Sequence, residues 1–181
     1  MTSGYLSHLE CTACRRTWPP DRPLGTCPAC GKVLYHRYDL AKARRDLTPA
    51  QWAERPTGLW RYRDLLPVQD THHIVTLGEG GTPLLAAHSL ARRLGVRSLY
   101  IKDEGVNPTG TFKARGMASA VSRLKELGVK TLVAPSAGNA GAALAAYAAR
   151  AGLQAVTVLP QDAPTATVLE CRAYGAQVEL V

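Results

Sequence analysis

With 181 residues, 46% of them hydrophobic and 20% charged, the chain has room for one medium domain and a small module, and its composition excludes a disordered protein. It shows no apolar run of membrane-spanning length and no signal-peptide core at its N-terminus, so a cytoplasmic protein without a membrane partner is expected. The formal charge of +8 is spread over separated pairs such as Arg15-Arg16, Arg44-Arg45 and Arg92-Arg93, and aromatic residues make up 6%, a pattern that offers neither the basic run nor the stacking platform of a nucleic-acid binder.

The first module is Cys11-Thr-Ala-Cys14 followed by Cys27-Pro-Ala-Cys30. Each C-x-x-C pair sets two thiolates on one face of a tight turn, and two such turns close a tetrahedral metal site. Residues 1–38 therefore resemble a zinc ribbon, with Cys11, Cys14, Cys27 and Cys30 as ligands of a structural zinc. Iron in the same cage is the competing assignment. A ribbon by itself does not name a function, because ribbons serve nucleic-acid-binding modules as well as enzymes. The fifth cysteine, Cys171, falls in a helical pattern and reads as packing.

Residues 39–77 read as a linker with short helices. Thr48-Pro49 has the form of an N-cap followed by proline in the first helical position. Trp60 to Pro67 is amphipathic. His72-His73 cannot face one metal from a regular element and is expected to be structural.

From residue 78 onward, strand and helix patterns alternate. Helices are predicted at Ala86–Leu94, Ala114–Leu127, Asn139–Ala151 and Ala166–Tyr174. Strands are predicted at Ser98–Lys102, Thr131–Ala134, Ala155–Leu159 and Gln177–Val181. The alternation predicts an α/β fold with a parallel sheet and right-handed crossovers. Lys113 stands at the mouth of a helix behind a loop of Asn, Pro, Thr and Gly. The positive end of the helix disfavours the protonated amine and favours nearby anions, which suits a nucleophilic lysine. Arg115 is expected to meet an anion or to pair with Asp103 or Glu104.

Two motifs together carry a resemblance. Asn107-Pro-Thr-Gly-Thr-Phe-Lys113-Ala-Arg-Gly116 is similar to the lysine motif of the fold-type II pyridoxal-phosphate enzymes, and Pro135-Ser-Ala-Gly-Asn-Ala-Gly141 is similar to their asparagine loop. The resemblance covers residues 78–181. It implies the first part of a three-layer αβα domain, incomplete at Val181, with the cofactor's phosphate cradle and ring-nitrogen partner lying beyond. It implies that Lys113 attaches pyridoxal 5'-phosphate and that Asn139 hydrogen-bonds the cofactor. Ser136, Ala137, Gly138, Asn139 and Ala140 would hold the substrate carboxylate. The run Thr76-Leu-Gly-Glu-Gly-Gly-Thr-Pro-Leu-Leu85, the cysteine ribbon and the helix near Asp162–Ala176 resemble the threonine synthase branch, whose substrate is O-phosphohomoserine. Dehydratases and β-replacement synthases share the two main motifs and remain the alternative. The full-length protein is expected to be a homodimer, and these 181 residues alone are expected to be inactive, with an unpaired edge strand at their end.

Overall fold

The computed structural model describes residues 4–136 and 138–181. Strand β1 (Leu6–Cys11) lies between β2 (Thr17–Trp18) and β3 (Leu34–Tyr38) in an antiparallel sheet of three strands. Alternation sends Leu9 and Cys11 inward and leaves Glu10 on the other face, where Arg15 and Arg37 approach it at 2.6 and 2.7 Å. After each cysteine pair one residue adopts a left-handed backbone, Arg15 at φ +61° and Gly31 at φ +70°. The two knuckles thus repeat one turn geometry.

The linker forms α1 (Leu40–Asp46) and α2 (Pro49–Ala53). Asp39 caps the first by accepting from the Lys42 N–H at 2.8 Å. At the second, Thr48 and Gln51 form a reciprocal capping box with Pro49 in the first turn, which satisfies N–H groups the helix itself leaves unpaired. Leu59–Leu65 is 3-10 structure interrupted by a kink at Tyr62, and Thr71–His73 is a short 3-10 turn. The His72 ring lies 2.7 Å from Asp70 on the surface.

The predicted strand at Ser98–Lys102 requires a correction. It shortens to β5 (Tyr100–Lys102), and β5 pairs antiparallel with β4 (Leu84–Ala86), a strand the sequence did not predict and whose last residue was expected to open a helix. These two strands form their own ribbon, joined through α3 (His88–Leu94). Tyr100 and Ile101 are exposed, so the apolar character that marked this stretch as a sheet strand is not used in the core here.

The parallel sheet contains β6 (Thr131–Pro135), β7 (Gln154–Leu159) and β8 (Gln177–Leu180), in that order. Its crossovers are α5 (Asn139–Ala151) and α6 (Thr165–Ala173), and α4 (Lys113–Glu126) runs into β6. Leu132, Ala155, Thr157 and Leu159 alternate toward the helices and are buried. Ala142, Ala145 and Ala148 of α5 share one buried core with Leu132 and Ala155 of the sheet, and Tyr147 is fully buried in it. Helix α5 covers β6 and β7, α6 covers β8, and α4 packs along α5. On the opposite face Val133 remains 65% exposed. The described residues thus build two of the three expected layers.

A polar contact links the ribbon to α4. Arg123 of α4, buried, pairs with Glu126 and donates to the Pro20 carbonyl of the cysteine ribbon. Glu126 in turn accepts the backbone N–H of Gln69 at 3.0 Å and that of Asp70 at 2.5 Å. Among the described residues, no helix is long and apolar enough to cross a membrane.

Candidate lysine site and cysteine cluster

Lys113 is the first residue of α4. The loop before it makes two sharp turns, a short 3-10 turn at Glu104–Val106 and a turn of non-helical backbone at Pro108–Gly110. Thr109 and Gly110 take left-handed backbones, with φ of +60° and +67°. For a β-branched threonine that conformation is strained, and such strain persists where surrounding bonds hold it. The Thr111 hydroxyl accepts the Lys113 N–H at 3.2 Å. The Lys113 amine lies 4.8 Å from the centre of the Phe112 ring. Among the described residues it enters no salt bridge.

The second motif begins where β6 ends. Ser136 leaves the sheet with its N–H on the Val158 carbonyl at 2.9 Å. Its hydroxyl accepts from the N–H of Gly138 at 3.1 Å and of Gly141 at 2.9 Å, the bonds of a residue capping a helix N-terminus. Asn139 opens α5 with its side chain exposed, and Ala140 follows, half-buried. Ala137 lies outside the described residues. Gly141 is pressed against Ser136: a Cβ there would sit 3.3 Å from the Ser136 Cβ.

Topology brings the two motifs to one side. Helix α4 runs directly into the start of β6, and α5 starts directly after the end of β6. Both helices therefore point their N-termini toward the carboxyl end of the parallel strands, and they pack along each other. The Pro108–Gly110 turn rests against α5. Ligands of open α/β sheets bind at this strand end, where two helix N-termini also favour anions. An open cleft of about 680 Å³ borders the same loop on the side of Asn107–Thr109, Ala146 and Arg150. Neither Lys113 nor Asn139 lines it. An amine that enters no salt bridge among the described residues, on the side where α5 begins, fits a cofactor that carries an aldehyde and a phosphate.

Behind the lysine loop lie two carboxylates that sequence reading did not single out as site residues. Glu104 accepts from Arg115 Nε at 2.7 Å and Nη2 at 2.8 Å, from Thr82 Oγ1 at 2.7 Å and from Asn107 Nδ2 at 2.9 Å. The Arg115 bonds, with those of Thr82 and Asn107, hold its pKa down at about 2. Glu79, 2% exposed, accepts from Trp60 Nε1 and the Tyr147 hydroxyl, each at 2.6 Å, and from the Leu77 N–H at 3.0 Å. Burial and that carboxylate push the Tyr147 pKa up. A glutamate between glycines gives no periodic signal of burial, and only the Gly-Glu-Gly-Gly-Thr-Pro run itself marked the stretch.

The four cysteines converge as their spacing predicted. The sulfurs of Cys11, Cys14, Cys27 and Cys30 all lie within 4.8 Å of one another. The Cys11–Cys30 and Cys14–Cys27 separations are 3.4 and 3.7 Å. Four thiolates about 2.3 Å from a common tetrahedral centre would be about 3.8 Å apart, so the cluster fits one metal ion. The N–H groups of Cys14 and Ala13, each 3.4 Å from Cys11 Sγ, lower the pKa of that thiol, which suits a ligand that binds as thiolate.

Comparison with known proteins follows the same division. The family described as "Pyridoxal-phosphate dependent enzyme" matches residues 75–181. A threonine synthase of Methanocaldococcus jannaschii is 41% identical over 170 residues, covering 93% of this chain and 42% of that protein. A threonine synthase of Methanosarcina acetivorans is 40% identical over 174 residues, covering 96% of this chain and 42% of that protein. The chain thus spans less than half the length of these relatives, and the match includes the ribbon. The crystal structure of a serine racemase from Dictyostelium discoideum superposes on 55% of this chain and 32% of its own, with 33% identity and a TM-score of 0.51.

Proposed function

The chain belongs to the pyridoxal-phosphate-dependent enzyme family, and on that premise we propose that it carries the lysine and carboxylate-binding elements of a threonine synthase, which converts O-phosphohomoserine and water to threonine and phosphate. What supports this reading is that Lys113 and Ser136 stand toward one strand end, in a chain whose similarity to threonine synthases runs through the ribbon as well. Pyridoxal 5'-phosphate, when bound, supplies the electron sink that lets a proton leave carbon next to the substrate nitrogen. In this proposal Lys113 attaches the cofactor and moves protons at the substrate carbons. The Asn139 amide donates to the cofactor ring oxygen without adding charge. The hydroxyl of Ser136 and the N–H groups of Ala137, Gly138 and Ala140 receive the substrate carboxylate at the positive end of α5. Zinc is the metal we assign to the cysteine cluster, as a structural ion: with four thiolates filling a tetrahedral shell, no position is left for substrate.

The test supplies the purified chain with O-phosphohomoserine, threonine or serine. It is assayed alone and mixed with the part of the Methanocaldococcus jannaschii relative outside the match. Phosphate release from O-phosphohomoserine, abolished by Lys113→Ala, is expected in the mixture. Ammonia release from serine or threonine with no phosphate release would replace this reading with a dehydratase.

A further inference from the structure

The start of α4 is held by an arrangement that reaches beyond the helix. Arg115 lies in the first turn, two residues after Lys113, and both its Nε and Nη2 donate to the carboxylate of Glu104. A paired guanidinium–carboxylate contact fixes direction as well as distance. Glu104 also takes the Thr82 hydroxyl and the Asn107 amide. Asn107, 5% exposed, accepts the Gly80 N–H at 3.0 Å through its own oxygen. One carboxylate therefore ties three separate segments: the glycine loop, the turn before the lysine motif, and the first turn of α4. Positions 113 and 115 lie about 200° apart around a helix of 3.6 residues per turn, so Arg115 can be held on one side while Lys113 faces the other.

We propose that Glu104 is a positioning residue: acting through Arg115, it fixes the rotation of the first turn of α4 and hence the direction in which the Lys113 amine is presented to an aldehyde ligand. The ligand part rests on the reading of Lys113 as the cofactor lysine. Helix ends fray when nothing outside the helix restrains them, and a frayed first turn would let the amine sample several directions.

The experiment uses the purified chain and its Glu104→Gln and Arg115→Lys variants. Pyridoxal 5'-phosphate is titrated by visible absorbance, borohydride reduction locates the modified lysine by peptide mass, and amide exchange is followed over residues 113–117. In the unaltered chain, labelling is expected at Lys113. Glu104→Gln is expected to weaken cofactor binding at least tenfold, to spread labelling to other lysines, and to speed exchange of the first-turn amides at least tenfold, while exchange in the middle of α5 stays the same. Arg115→Lys keeps the charge and loses the paired contact, and should give the same pattern if Glu104→Gln does not fold. Affinity, labelling and exchange all within twofold of the unaltered chain would overturn the proposal. If the unaltered chain takes no cofactor at Lys113 even when mixed with the part of the Methanocaldococcus jannaschii relative outside the match, the functional reading fails separately, and the exchange rates still decide for or against the clamp.

Discussion

Gly80 stands at φ +88°, and a Cβ there would lie 2.5 Å from the Leu59 nitrogen and 2.9 Å from the Gly58 carbonyl carbon. Both backbone conformation and space exclude a side chain, so Gly80→Ala should destabilise the fold by roughly 2–3 kcal/mol or more. Gly95, at φ +67° with nothing within 4 Å of its would-be Cβ, should lose only about 1 kcal/mol on the same change; paired urea melts check the contrast. Glu104 gives a pH signature. Its folded pKa of about 2 lies below the ordinary 4.5, so its contribution is complete above the ordinary value and fades as pH falls toward 2. Glu104→Gln should flatten that part of the stability curve, measured by melts across the acid range. At this scale the convergence of the cysteines was legible from their spacing, as were the positions of Lys113 and Asn139 at the starts of two helices. The pairing of Arg115 with Glu104 was among the expected contacts and is present, whereas Glu79 was not legible, because a buried carboxylate is recognisable only from donors that arrive from distant segments such as Trp60 and Tyr147.

Among the elements, α4, α5 and α6 were legible from their apolar periodicity and from the glycines that end them. Helix α5 in particular could be read from its alanines. Ala145 is 1% exposed, and Ala145→Leu should cost about 1–3 kcal/mol by overpacking the face against the sheet, visible as a lower denaturation midpoint. Strand β5 was misplaced because an apolar run records a tendency to extend but not the partner it extends beside; the pairing with β4 is set by residues in another segment. The ribbon makes the opposite case, since four thiolates define the turns around them. With the zinc proposed for it in place, a chelator should release amide protection over residues 6–38 while Asn139–Ala151 keeps its own. Hydrogen exchange with and without zinc reads both regions at once.

Across the whole molecule, the open face of the parallel sheet is the main liability. Val133 is 65% exposed there, and β6 and β8 are edge strands of the sheet as described. Exposed parallel sheets are rare, and open edges invite pairing. The 181-residue polypeptide should therefore self-associate at micromolar concentration or bind an apolar dye, and sedimentation beside dye fluorescence measures this. A monodisperse monomer that binds no dye would show the face to be harmless. The contact between Arg123 and the Pro20 carbonyl also has a meaning in time. Synthesis proceeds from the N-terminus, so the four cysteines leave the ribosome long before Arg123 does. The ribbon can acquire its ion and close while the lysine helix is still unmade, and it then stands as a finished surface on which α4 docks. Metal supply during translation would thus govern how promptly the later part of the chain finds its place, even though no metal ligand lies near Lys113 in sequence.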